Sequence, residues 1–157
     1  MAIRKIGKRY GGPWYSQCHD RILFESGIHE HFPGISAINK RKGKKKWREY
    51  KFRIEVPTYG TRNITIKFYP NKYGTPKVTT DGPSDSPHRY DDDSLCMWYP
   101  WDPRERRWIF EDGLLHLLVL IQAHLFREAW WRDNDEWLGP EIPHEQTTDP
   151  TECHTGY

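Results

Sequence analysis

The sequence predicts an α+β domain, with two helices bracketing an antiparallel meander and a long irregular segment. Three observations predict it. Residues 50–68 alternate apolar and polar side chains in two short runs, the period of strands with one wet face. Residues 113–126, GLLHLLVLIQAHLF, are the most apolar run, long enough for a helix. Between them, DGPSDSPHRYDDDSLCMWYPWDPRERRW (81–108) follows neither period.

The elements follow in order. A chain of 157 residues buries most of its apolar surface on folding, so one domain over 1–157 is expected. Residues 1–14, with KRYGGP, read as an N-terminal arm. From about Tyr15 to His31 the pattern suits a helix, with Ile22, Leu23 and Ile28 sharing a face, and FPG at 32–34 ends it. ISAI is a short strand, and the basic run KRKGKKKWR (40–48) makes the turn. Tyr50, Phe52, Ile54 and Val56 then mark one strand, and Ile64, Ile66 and Phe68 the next. PNKYGTP turns into a last strand, KVTT, which completes a four-stranded antiparallel meander.

After residue 82, prolines 83, 87, 100 and 103 and the aspartates force an irregular path to Trp108. Such a segment within a compact domain usually carries function. A helix from about Glu111 to Trp131 is apolar nearly all round in its first half and belongs in the core, with His116 and His124 as core or boundary residues. RDNDEWLGPEIPH reads as an aromatic loop, and residues 145–157 as a flexible tail.

Composition narrows the function. The hydropathy is low, and eight tryptophans offset it because each buries a large apolar area. No secretory leader and no membrane-length span appears, so a soluble, cytoplasmic protein with no membrane partner is expected. Three scattered cysteines, Cys18, Cys96 and Cys153, make no disulfide framework. Neither Cys18-His19 with His29 and His31, nor Cys153-His154, has the paired spacing of a structural zinc site, so neither metal nor cofactor is expected. Residues 1–50 hold twelve Lys/Arg against four Asp/Glu. The basic run responsible reads first as a solvated turn or a dock for an acidic partner. Nucleic acid is the lesser reading, although Trp47 would offer a stacking surface.

Helix, meander, cysteine-bearing loop, buried helix is the element order of the ubiquitin-conjugating enzyme (UBC) fold, and the motifs resemble that family. IKFYPNKYGTPKV is similar to its strand-turn-strand signature. SPHRYDDDSLC resembles its active-site segment, with Pro87, Tyr90, Leu95 and Cys96 on matching positions. Two positions depart: Ser86 stands for the family's histidine and His88 for its asparagine. Trp108 matches the tryptophan before the next helix, with four extra residues intervening. WLGPEIPH and the aromatic-rich helix before it resemble a bacterial stand-alone branch, encoded beside cGAS/DncV-like nucleotidyltransferases in anti-phage (CBASS) operons.

The resemblance implies an acyltransferase that carries a protein C-terminus as a thioester on Cys96 and passes it to an amine. The nucleotidyltransferase is the implied passenger or substrate, and the need for an activating enzyme stays open. Three aspartates beside a thiol do not favour a permanently ionised one. Thioester exchange does not require one, because a thiol of ordinary pKa exchanges well near neutrality. The carboxylates suit the second half-reaction, in which an incoming ammonium must be positioned and give up its proton. Asp91, Asp92 and Asp93 all qualify, Asp92 and Asp93 first, although a turn rich in Asp also serves backbone capping. His88 is expected to stabilise the oxyanion in place of asparagine, and His144 is a weaker candidate. Trp98 and Trp101 are expected to pack the insertion against the body. Two alternatives remain: a catalytically inactive UBC-fold protein that binds partners, and a nucleic-acid-binding module built on residues 40–48.

Overall fold

Alternation dictates the sheet. The computed structural model describes residues 11–140. In β2 (Lys45–Val56), Tyr50, Phe52, Ile54 and Val56 enter the core while Lys51, Arg53 and Glu55 stay in water. β3 (Gly60–Phe68) sends Ile64, Ile66 and Phe68 to the same side, and β4 (Lys77–Thr80) adds Val78. With β1 (Ser36–Lys42) the strands pair antiparallel in the order β1-β2-β3-β4. The register sets Tyr50 opposite Ile66 and Ile66 opposite Val78, so one apolar row crosses three strands. The domain is α+β, as expected.

The basic run behaves differently from a turn. Lys40–Lys42 complete β1, Lys45 opens β2, and only Gly43 and Lys44 turn. Gly43 takes φ 60° at the first turn position, which a two-residue hairpin of the II′ kind requires of glycine. Arg48 leaves the surface altogether. Its Nε and Nη2 donate to Glu25 Oε1 at 3.0 and 2.7 Å, and Tyr50 Oη donates to the same oxygen at 2.7 Å.

The single helix expected over Tyr15–His31 is in three pieces. A 3-10 turn (Trp14–Ser16) precedes α1 (Cys18–Phe24) and α2 (Ile28–His31). Gly27, at φ 73°, takes the left-handed conformation that a continuous helix excludes. Phe24 and Ile28 reach the core from either side of this break, whereas Ile22 and Leu23 face out at 62% exposure each. Trp14 ends the N-terminal arm by entering the core, where its indole N–H donates to the Tyr69 carbonyl at 3.1 Å.

Phe24 sits at the centre of the aromatic core, stacked on Phe110 (4.7 Å, 12°) and edge-on to Trp14, Phe68 and Trp108. Phe24→Ala should destabilise the domain by about 3–5 kcal/mol, read as a lower midpoint in urea with an unchanged slope. A loss under about 1 kcal/mol would show that the cluster refills the space.

α3 (Gly113–Asn134) lies over the sheet with Leu114, Leu117, Leu118, Ile121 and Leu125 buried. It is less enveloped than its sequence suggests, because Val119 and His116 are exposed. Trp108 anchors the start of α3, its indole N–H donating to the Gly113 carbonyl at 2.9 Å. Among the described residues no helix is long and apolar enough to cross a membrane.

Candidate active site

Residues 88–96 form a small hairpin. Arg89 and Leu95 pair across it, the Cys96 N–H donates to the His88 carbonyl at 3.0 Å, and the Tyr90 N–H to the Ser94 carbonyl at 2.9 Å. The Leu95 N–H donates to the Val78 carbonyl at 2.9 Å, so the hairpin docks on the free edge of β4. Asp91, Asp92 and Asp93 make its turn, closed by the left-handed Asp93 (φ 63°).

Two concavities flank the hairpin. On the α3 side a cavity of about 250 Å³ is lined by His88, Cys96, Trp98, Asp102, His124 and Trp137, among others. On the other side a groove of about 500 Å³ runs past Lys77, Tyr90, Asp91, Asp92 and Trp101. Tyr99 lines both. The structure thus brings Cys96 and His88 to one cavity and leaves Asp91 and Asp92 on the groove, while Asp93 lines neither. His144 and the 145–157 tail lie outside the described residues.

Cys96 is 4% exposed, more buried than its irregular surroundings suggest, because cavity walls from α3 and the segment after it enclose it. It is disulfide-bonded, a link that the scatter of cysteines did not signal; Cys18, on α1, is free and exposed. Among the described residues no group of three metal-binding side chains gathers.

The aspartates divide their work. Burial acts to raise the Asp92 pKa, but hydrogen bonds from Lys77 Nζ, the Ser94 hydroxyl and the Ser94 N–H outweigh it and hold the carboxyl at about 2. Asp93 contributes its carbonyl, which accepts from Arg89 Nη1 at 3.0 Å, and all three side chains face water.

Beneath the hairpin lies a buried charge network that no spacing in the sequence signals. Arg89 Nε and Nη2 donate to the two oxygens of Glu128 at 2.8 and 2.7 Å, with the side chains 4% and 1% exposed. Desolvation alone would push the Glu128 pKa up; contacts with His124 and Arg89 reverse this and hold it at about 2. At 3.5 Å the His124 contact is an electrostatic neighbour, and the Arg89 fork makes the hydrogen bonds. Trp137 closes the cavity over the His88 ring at 4.1 Å.

These shifts give a pH prediction. Asp92 and Glu128 both titrate below their ordinary values of 3.8 and 4.5. Their contribution is therefore complete above about pH 4.5 and is lost as the pH falls toward 2. Near-UV circular dichroism should hold steady from pH 7 to 5 and decay between about pH 4 and 2. Decay centred at pH 6 would assign the transition to histidine instead.

The insertion after Cys96 packs only in part. Trp98 tilts against Trp108 at 6.2 Å, but Trp101 is 59% exposed and stacks on Tyr99 (5.2 Å, 11°), contrary to expectation. Asp102 holds the loop by accepting from the Tyr99 N–H at 2.8 Å.

A four-stranded meander, a C-terminal helix and a cysteine on a hairpin beside that helix are compatible with the E2-like, conjugating class of protein. Residues 25–145 match the family described as Type II CBASS E2 protein, and the chain belongs to that family. It is thereby an E2-like protein of CBASS antiviral defence. No curated protein and no solved structure matches the chain.

Proposed function

We propose that the reduced protein carries a protein C-terminus as a thioester on Cys96 and passes it to an amine. The cGAS/DncV-like nucleotidyltransferase of the same CBASS system is the proposed passenger or substrate. The observation that carries this reading is the meeting of Cys96 and His88 at one cavity in a chain of the E2 family. In loading, Cys96 sulfur adds to the carbonyl of a protein C-terminus already activated as a thioester, and the donor thiolate departs, taking up the proton that Cys96 gives. In transfer, an amine adds to the same carbon, the oxygen becomes an oxyanion, and its collapse returns the thiol. His88 is the proposed oxyanion donor, and Asp91 and Asp92, which line the groove and not the Cys96 cavity, are proposed to hold an incoming ammonium before it reaches the acyl carbon.

The test is to mix the protein, reduced with a phosphine, with the operon's nucleotidyltransferase prepared with its C-terminus as a small-thiol thioester, and to run a denaturing gel without thiol. A band at the summed mass that survives the phosphine and is cleaved by hydroxylamine is a thioester. A band cleaved by the phosphine is a disulfide, and a native complex with no covalent band marks an inactive binding protein. Either outcome overturns the reading.

The 40–48 run is proposed to dock the partner and to take no part in chemistry. It belongs to the β1–β2 hairpin, at the opposite edge of the sheet from the Cys96 hairpin. Lys40 pairs with Glu49 at 2.6 Å and Arg48 with Glu25, which leaves Arg41, Lys42, Lys44, Lys45 and Lys46 as the exposed cations. Changing Lys44, Lys45 and Lys46 to Glu should slow association about tenfold or more and weaken its salt dependence, with adduct chemistry intact once bound. Unchanged association with lost chemistry would contradict this assignment.

A further inference from the structure

Arg89 makes three directed contacts from one buried guanidinium. Two reach α3 at Glu128, and the third crosses the hairpin to the Asp93 carbonyl. A second arginine repeats the pattern outside: Arg132, one turn along α3 from Glu128, donates to Asp85 Oδ1 at 2.6 Å and to the Pro83 carbonyl at 3.0 Å. Both tie the segment bearing the site to one helix.

Stability does not explain such an arrangement. A buried ion pair contributes about as much as apolar residues of the same volume. The guanidinium–carboxylate fork adds fixed direction, since two parallel hydrogen bonds specify angle as well as distance. The hairpin needs that direction. A two-stranded hairpin is marginal alone, and this one is turned by three consecutive carboxylates and a left-handed Asp93. Yet His88, next to Arg89, and Cys96, next to Leu95, stand at the cavity where the chemistry is placed.

Resting on the thioester reading above, we infer that Arg89 and Glu128 are positioning residues whose fork clamps the 88–96 hairpin to α3 and sets the Cys96 sulfur and the His88 ring in reacting register. Neither touches the acyl group. A misplacement of about 1 Å at a reacting centre can cost about a hundredfold in rate, so the clamp should act on the rate of the step and leave affinity alone.

The experiment uses the full chain, reduced with a phosphine, and two variants. Glu128→Gln keeps shape and removes charge; Arg89→Lys keeps charge and removes the fork. The acyl probe is a short peptide ending in a glycine thioester with a mercaptoethanesulfonate leaving group, and loading is followed by intact mass. In that step Cys96 sulfur forms the new bond to carbon, the sulfonate thiolate leaves, and it takes up the proton Cys96 gives. Both variants should load about 10- to 100-fold more slowly at saturating probe, with the half-saturating concentration unchanged. Amide hydrogen exchange at Tyr90, Leu95 and Cys96 should rise, with β2 and β3 as protected as before.

Loading and exchange equal to wild type in both variants would overturn the clamp. So would exchange that rises equally in hairpin and sheet, which marks a merely structural pair. A wild-type protein that takes no acyl group on Cys96 overturns the thioester reading instead, and the exchange comparison then decides the clamp alone.

Discussion

Cys96→Ser should trap the conjugate as an oxyester that hydroxylamine cleaves far more slowly, and Cys96→Ala should abolish it. Cys18→Ala and Cys153→Ala should keep it. The expectation rests on placement: Cys96 lines the cavity at the hairpin, whereas Cys18 sits exposed on α1. An alkoxide is the poorer leaving group, so the serine ester forms slowly and then persists. Because Cys96 enters a disulfide in the structure, each protein must be reduced before the comparison. An adduct mapped by mass spectrometry to Cys18 or Cys153 would remove Cys96 from its proposed role, and the hairpin with it.

His88→Ala should slow transfer from the loaded protein by about 10²–10³, the usual cost of losing one oxyanion donor. His88→Asn should recover part of the rate, since an amide N–H can donate in nearly the same place. Folding is the control. His88 is 9% exposed, packed on Trp137 and edge-on to His124 at 6.5 Å, so truncation leaves a void in the cavity wall. Melting curves must therefore accompany the kinetics. Transfer at the wild-type rate, or an alanine variant that simply unfolds, would reduce His88 to a brace. The pH profile separates the roles further: an imidazole that also moves the nucleophile's proton gives a rate limb near its titration, which asparagine cannot reproduce.

The sheet was the most legible part of the sequence because alternation in 50–56 and 64–68 is enforced by one buried face. The helix breaks were less so. Ile22 and Leu23 look like core residues in one dimension, and only the left-handed turn at Gly27 and the aromatic company of Phe24 turn them outward. At the candidate site, Cys96 and His88 are singled out by motif resemblance alone, since neither carries a periodic signal. Arg89 and Glu128 were missed although half the clue was present. Glu128 continues the buried stripe of Leu114, Leu117, Ile121 and Leu125, where a charge demands a partner. That partner lies 39 residues away in an aperiodic segment, and chain spacing alone cannot point to it.

The sheet has two ends, and they are defended differently. β4 is only four residues long, and the hairpin occupies its outer rim through the Leu95–Val78 hydrogen bond. β1, seven residues long with Ile38 exposed upon it, has no strand outside it among the described residues, and its last three residues are Lys40, Arg41 and Lys42. An open strand is a template for another copy's strand, and like charges facing each other across such a joint oppose it. The cations therefore also act as gatekeepers of colloidal behaviour. A protein neutralised along β1 would keep its fold and lose its resistance to pairing β1 against β1 of a second copy, the more so in high salt, where the remaining repulsion is screened.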